Sequence, residues 1–280
     1  MKIVTYNIQW GKGRDGRIDL DRIARTIRGA DVIALQEVER HWRPQAHPDQ
    51  AARLATLLPD HHWVFGPAMD LAGEGRGARR QVGNMTLSRF PISATRNLPL
   101  PSRPAPGEVN DTQAMLECVI EAARPFRLCN AHLNYLDEAL RLEQLDLMLA
   151  LIIDAPARGG PITLPGRPPG PQDDWIYPPP DGRYPGMPEA CAVLGDFNCE
   201  PGSATYRAMT ARGFQDGLAL AGFEAGEGVT FPANGRERAQ RLDHIFLNGE
   251  MVPGFRGAHI DERADGSDHQ PVWIELDIES

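Results

Sequence analysis

Short apolar runs separated by polar breaks dominate the chain. "KIVTYNI" (residues 2–8) and "DVIALQEV" (31–38) are β-like runs. The second is nearly continuous in apolar residues, as a strand buried on both faces is. Between them "DLDRIARTIRGA" sets Leu20, Ile23, Ala24 and Ile27 at helical spacing, with Asp19 as N-cap and Gly29 as stop. "DQAARLATLL" predicts a second helix and "DEALRLEQLDLMLALIID" a longer one. "HHWVF", "VGNMTLS", "ISATRNL", "QAMLECVIEA" and "FRLCNAHL" predict consecutive strands, and "AVLGDFN", "RLDHIFL" and "PVWIELDI" predict more. Strands that follow one another without helices argue for sheet packed on sheet with helices outside, rather than a doubly wound parallel sheet.

Residues 156–188, "PARGGPITLPGRPPGPQDDWIYPPPDGRYPGMP", break the pattern. Pro and Gly at this density exclude a helix interior or a central strand. The segment reads as an irregular loop inserted into one domain spanning 1–280, because the runs flanking it resemble one interrupted sheet. The long helix leads back from the strand end that carries His132. The insert is therefore expected to root at the opposite end, with Trp175 and Tyr177 at its tip packing on the body or on a partner chain.

Composition narrows the class. Lys and Arg total 29 against 38 Asp and Glu, a formal net charge of -9. That balance disfavours extended tracking along a nucleic-acid backbone. Local positive clusters are Arg76, Arg79 and Arg80, then Arg236, Arg238 and Arg241. No stretch approaches a membrane span, and "KIVTYNI" reads as a strand rather than a signal peptide. Cys118, Cys129, Cys191 and Cys199 form no C-x-x-C pair and read as small buried thiols in a reducing cytoplasm. A cytoplasmic monomer is the expectation.

Polar residues recur where the apolar runs end: Asn7, Gln36 and Glu37, His132, Asp196 and Asn198, Asp243 and His244, Asp268 and His269, with Asn84 inside "VGNMTLS". Singly, each reads as a turn former or cap. Together, acidic and amide groups at strand ends make an oxygen-lined pocket suited to a hard divalent cation such as Mg²⁺. Phosphoester hydrolysis needs an activated water, charge neutralisation on phosphoryl oxygens and help for the leaving group, and these residue types supply them. There is no G-x-S-x-G elbow and no G-x-x-x-x-G-K-[ST] loop. "GEGRG" at 73–77 reads as a surface loop.

"TYNIQWG", "ALQEV", "GNMTLSRFPI", "NAHLNY", "LGDFNCEPGS", "RLDHIFL" and "GSDHQPVW" occur in the order found in the endonuclease/exonuclease/phosphatase family, and the chain resembles that family from residue 3 to about 277. The resemblance implies an α/β (α+β) fold, a four-layer α/β/β/α sandwich of two mixed β-sheets with helices outside. It implies a divalent-metal-dependent hydrolase of phosphoester bonds that uses Mg²⁺ or Mn²⁺ and an in-line activated water. By position, Asn7, Glu37 and Asp268 match the metal site. Asp196 matches the residue that positions or deprotonates the water, and Asn198 the one that orients nucleophile and phosphate. His269 matches the catalytic histidine and Asp243 the carboxylate bonded to it. His132 matches a contact to a non-bridging phosphate oxygen, and Asn84 falls in a segment that lines the phosphate pocket. Asp196 and the Asp243–His269 pair both qualify as general base. Asp196 is preferred, since a doubly hydrogen-bonded imidazolium serves better on the phosphate. His244, pointing away from Asp243's side of the strand, reads as structural.

Substrate choice is less legible. Nucleic acid and a small phosphodiester are both compatible with the motifs, and a lipid headgroup is a third option without any membrane segment to support it. A binding protein that keeps the fold without catalysis is the alternative from another class. The family often carries an arginine in the strand before "NAHL". Here that stretch reads "NDTQAMLEC", with Thr112 and Gln113, so one phosphate contact is missing or supplied from elsewhere.

Overall fold

The computed structural model describes residues 1–104, 107, 109–162, 170–173, 175, 186–232 and 238–278. In chain order the first elements are β1 (Lys2–Asn7), α1 (Leu20–Ile27), β2 (Val32–Arg40), α2 (Gln50–Leu57), β3 (His62–Ala72) and β4 (Arg79–Ser88). Then come β5 (Ile92–Pro99), β6 (Ala114–Ile120), β7 (Phe126–His132), α3 (Glu138–Arg158) and β8 (Cys191–Asp196). The remainder holds α4 (Ala204–Ala211), β9 (Gln215–Asp216), α5 (Gly217–Leu220), β10 (Asp243–Leu247), β11 (Phe255–Ile260) and β12 (Val272–Leu276).

The strands form two six-stranded mixed sheets, ordered β11-β12-β1-β2-β4-β3 and β5-β6-β7-β8-β10-β9. Alternation along each strand builds the layers. Ile3, Val32, Ala34, Leu116, Leu128, Leu194, Ile245 and Ile274 point between the sheets and form the central core. Their neighbours Val4, Ile33 and Leu35 point outward onto Ile23, Ile27 and Leu54 of α1 and α2. On the other side Cys129, Val193 and Phe246 meet Leu145, Met148 and Ile152 of α3 and Met209 of α4. This is the expected α/β/β/α order. The helix starts follow the sequence: Asp19, Asp49, Asp137 and Ser203 each accept a backbone N–H of the first turn.

Two strands escape the apolar pattern. β11 mixes Gly, Arg and His and shifts register between Phe255 and Gly257 as it pairs with β12 at a sheet edge. β9 is two residues paired to the far end of β10. β3 runs well past "HHWVF", through Pro67, because it is an edge strand and its register shifts beside that proline.

A polar clamp ties the sheets together near the end that carries the polar residues. The Gln36 Nε2 donates to Asn130 Oδ1 at 2.7 Å, and Asn130 Nδ2 donates to the carbonyls of Leu35 and Met85 at 3.1 and 3.0 Å. Asn84 Nδ2 donates to the carbonyls of Ala114 and Asn130. All three side chains are buried, and every one of these donors finds an acceptor, as buried amides require.

Of the 156–188 insert, Pro188 attaches at the other end of the sheet. The Pro188 carbonyl accepts from Arg127 Nε, and Arg127 sits at the start of β7, opposite in the strand to His132. Trp175 is exposed, and Tyr177 lies outside the described residues.

Candidate active site at the strand ends

Strand direction gathers the polar residues. β1 and β2 are parallel, with Asn7 opposite Gln36. β7 and β8 are parallel, with His132 opposite Asp196. β10 runs the other way and begins with Asp243 opposite Asp196. β12 is antiparallel to β1, so the turn that precedes it, carrying Ser267, Asp268 and His269, arrives at the same end.

Local backbone then aims the side chains. The β2–β4 register shifts between Leu35 and Val38, and inside that bulge Glu37 adopts φ +58°. A bulge re-aims a side chain that strict alternation would turn elsewhere. Asn198, just past β8, has φ +48°. Its backbone N–H donates to Asp196 Oδ1 at 2.9 Å and its Nδ2 to the Leu133 carbonyl at 2.9 Å. Non-glycine residues at positive φ are uncommon and concentrate at functional sites.

Asn7 bridges the two sheets. Its Nδ2 donates to Glu37 Oε1 and to Asp196 Oδ2, both at 3.0 Å, and its Oδ1 accepts the Gln9 N–H at 3.1 Å. Gln9 Nε2 in turn donates to Asp268 Oδ2. Asp196 Oδ2 lies 3.6 Å from His132 Nε2 and 3.7 Å from His269 Nε2. The other ring nitrogen of His269, Nδ1, is 2.8 Å from Asp243 Oδ2. Ser267 Oγ donates to the Asn7 carbonyl at 2.8 Å and accepts the His269 N–H at 3.1 Å, so one hydroxyl fixes the turn that carries both Asp268 and His269.

The charges follow from this packing. Burial acts to lower the His269 pKa, but the Asp243 and Asp196 carboxylates outweigh it and push the value up to about 10. Asp268 is pushed above the usual carboxylate range by burial. His269 opposes that rise and Glu37 adds to it. A buried carboxylate whose proton affinity is raised further by a neighbouring one belongs to a donor set that a hard divalent cation would relieve, and oxygen ligands are what Mg²⁺ and Mn²⁺ prefer. Among the described residues, Asp196, Asp243 and His269 also present ligand atoms within 4.8 Å of one another. There, however, His269 Nδ1 and Asp243 Oδ2 already satisfy each other. Asp196 thus stands between a carboxylate half, Glu37 and Asp268, and an imidazole half, His269 and His132.

Asn84 lines a cleft with Glu37 and His132 while its amide nitrogen serves the clamp. His244 turns away from the site: Nε2 is 2.9 Å from the Cys199 carbonyl and Nδ1 is 3.5 Å from Asp216, all buried. Four of the arginines singled out in the sequence are engaged elsewhere. Arg79 pairs with Asp70, Arg80 donates to the Trp42 carbonyl, Arg238 pairs with Glu200, and Arg241 is buried 3.8 Å from Asp216. Arg236 lies outside the described residues. Thr112 donates to the Ala68 carbonyl. Pattern reading missed Gln9, Ser267 and Asn130. Gln9 holds φ +43°, which a glutamine does not advertise, and Ser267 was visible only as a neighbour of "DH".

A family model described as the Endonuclease/Exonuclease/phosphatase family matches residues 4–269. No curated protein matches the sequence. Solved structures do. An endonuclease/exonuclease/phosphatase from Beutenbergia cavernae is 22% identical with TM-score 0.71, over 99% of this chain and 71% of that one. A mannosyl-6-phosphatase from Bacteroides thetaiotaomicron is 17% identical with TM-score 0.65, over 99% and 100%. A 3′ phosphatase from Neisseria, bound to a product DNA hairpin, is 16% identical with TM-score 0.60, over 99% of each chain. At these identities the likeness is one of fold.

Proposed function

The chain belongs to the endonuclease/exonuclease/phosphatase family, and from that premise we propose that it is a divalent-metal-dependent phosphoester hydrolase whose site is Asn7, Glu37, His132, Asp196, Asn198, Asp243, Asp268 and His269. The observation that carries the reading is the Asn7 amide, hydrogen-bonded at 3.0 Å to both Glu37 and Asp196, which joins the cation-holding half to the water-activating half. Mg²⁺ or Mn²⁺ held by Glu37 and Asp268 beside Asn7 would supply Lewis-acid stabilisation of charge on the phosphoryl group and the leaving oxygen.

The protein's own groups account for the rest. Asp196, held by Asn7 and by the Asn198 N–H, orients the attacking water and accepts its proton. His269, oriented through Nδ1 and kept cationic by Asp243, directs Nε2–H to a phosphoryl oxygen. His132, on the other side of Asp196, meets a second non-bridging oxygen. Asn198, tied to the Leu133 carbonyl, orients the nucleophile and the phosphate. Charge that develops on the equatorial oxygens thereby meets donors already in place. Two of the structural relatives are phosphatases by name, which supports monoesters as well as diesters as substrates. A panel of DNA, RNA, sugar and inositol phosphates and nitrophenyl esters, with Mg²⁺, Mn²⁺ or EDTA, tests the reading. Failure to cleave any of them with any cation sinks it.

A further inference from the structure

Directly beside Glu37 and His132 opens a cleft of about 180 Å³, walled on one side by Trp10, Trp42 and Glu39 and on the other by Asp111 and Gln113. We propose that this cleft receives the alcohol portion of the substrate, and that this portion is a single polyhydroxylated ring, a sugar or a cyclitol. The proposal rests on the phosphoesterase reading above and names its substrate class.

Size comes first. Sites for drug-sized ligands occupy roughly 300–1,000 Å³, so this cleft has room for one ring and not for a stacked strand of nucleotides. It shares Glu37 and His132 with the proposed phosphate position, so a ring seated there is one ester bond from the chemistry.

The walls are rigid. Glu39, 1% exposed, accepts from Arg43 Nε at 2.6 Å and from Gln45 Nε2, while its own N–H is held by Gln50 Oε1. That pair sets the Arg43 guanidinium 4.1 Å from the Trp10 ring centroid. Arg80, anchored on the Trp42 carbonyl, sits 4.9 Å from the Trp42 ring. Each indole therefore has one face already occupied by a cation of the protein. A cationic headgroup would compete with these arginines for the same ring quadrupoles. Arg43 is tied to Glu39 through Nε, and Arg80 to the Trp42 carbonyl.

The polar lining includes the acceptors Glu39 and Asp111, whose carboxylate accepts from Gln113 Nε2 at 2.8 Å, beside the donor Arg43. Several hydroxyl donors on one small ring match carboxylate acceptors beside indole surface, with polar groups fixing orientation against an apolar wall. A nucleobase offers fewer donors, and the formal net charge of -9 gives a nucleic-acid strand no general attraction.

The test compares hexose, pentose and cyclitol monophosphates with p-nitrophenyl phosphate, nucleoside monophosphates and single-stranded oligonucleotides, using the full chain with Mg²⁺. At least one ring phosphate should exceed p-nitrophenyl phosphate in kcat/KM by about 100-fold, and Asp111→Asn and Trp42→Ala should raise its KM by about tenfold with a much smaller change in kcat. Oligonucleotides or nucleotides outperforming every ring phosphate, or both variants keeping the wild-type KM, would overturn the proposal while leaving the phosphoesterase reading intact. If no ester is cleaved, that reading fails and the cleft is judged by binding alone. Neutral sugars and cyclitols titrated into the protein should then change tryptophan fluorescence saturably in wild type and in Trp175→Phe but not in Trp42→Ala. No saturable change with any of them overturns the proposal.

Discussion

The Nδ1 of His269 lies 2.8 Å from Oδ2 of Asp243, a carboxylate with no exposed surface. The pair fixes which imidazole nitrogen faces Asp196. His269→Ala should therefore lower kcat by about 10³-fold. Asp243→Asn should leave the ring in place yet lose a large share of the same factor, because the imidazolium loses its buried counter-charge. Steady-state kinetics on one nitrophenyl ester check both. Wild-type kcat in Asp243→Asn would show that the pair only supports the fold.

Glu37 and Asp268 are assigned to the cation. Mg²⁺ or Mn²⁺ should raise the wild-type melting temperature, since a ligand at about 100 times its Kd adds roughly 2.7 kcal/mol to stability. Glu37→Gln and Asp268→Asn should abolish that rise while leaving the metal-free protein folded. Differential scanning calorimetry with EDTA and with metal reads the effect without reference to turnover. A variant that keeps the full shift is not a ligand.

Gly195 precedes Asp196 on β8 with φ +142°, and a Cβ there would meet the Ala131 carbonyl oxygen at 1.8 Å. Only glycine lets β8 approach β7 so closely. Gly195→Ala should destabilise the protein by about 2 kcal/mol or more and displace Asp196 from His132. Urea unfolding measures the first and residual activity the second. A loss below about 0.5 kcal/mol, within the range of ordinary surface substitutions, would show that β7 and β8 shift apart without penalty.

The buried His244–Asp216 contact sets a pH window for stability. Burial acts to lower the His244 pKa, but Asp216 and the Cys199 side chain outweigh it and push it up to about 10, while Asp216 is held below its ordinary value despite burial, by His244 and Arg241. The histidine contribution is complete below its unfolded pKa near 6.5 and disappears as pH rises through about 10. The aspartate contribution is present above its unfolded pKa and is lost as pH falls through its lowered folded value. Stability should thus decline from pH 7 towards 10. His244→Gln should cost about 3 kcal/mol at pH 7 and flatten that decline. Denaturant midpoints at several pH values check it, and an unchanged slope in His244→Gln would remove the ion pair from the account.

Much of this was legible in the sequence because two periodicities coincide with two physical needs. Ile3 and Val4, or Ile33 and Ala34, alternate between the central core and the helix layer, so "KIVTYNI" is legible as a strand and the nearly continuous "DVIALQEV" as one buried on both faces. Polar residues interrupting those runs marked the strand ends where Asn7, His132, Asp196 and Asp243 now meet. What escaped has equally physical reasons. β11 and β9 are edge strands that lack a two-sided core. The positive φ of Glu37, Gln9 and Asn198 sits on residues that do not signal it. Asn130, flanked by Cys129 and Ala131 in a buried strand, gave no hint that it would clamp one sheet to the other.

The proposed reaction is metal-assisted attack by a water that Asp196 positions. The most direct measurement is hydrolysis of p-nitrophenyl phosphate and its bis ester by wild type and Asp196→Asn, each in EDTA and in saturating Mg²⁺ or Mn²⁺. Wild type should turn over only with the cation, and Asp196→Asn should be about 10³-fold slower at the same metal saturation. Turnover that ignores EDTA, or an Asp196→Asn variant as active as wild type, would contradict it.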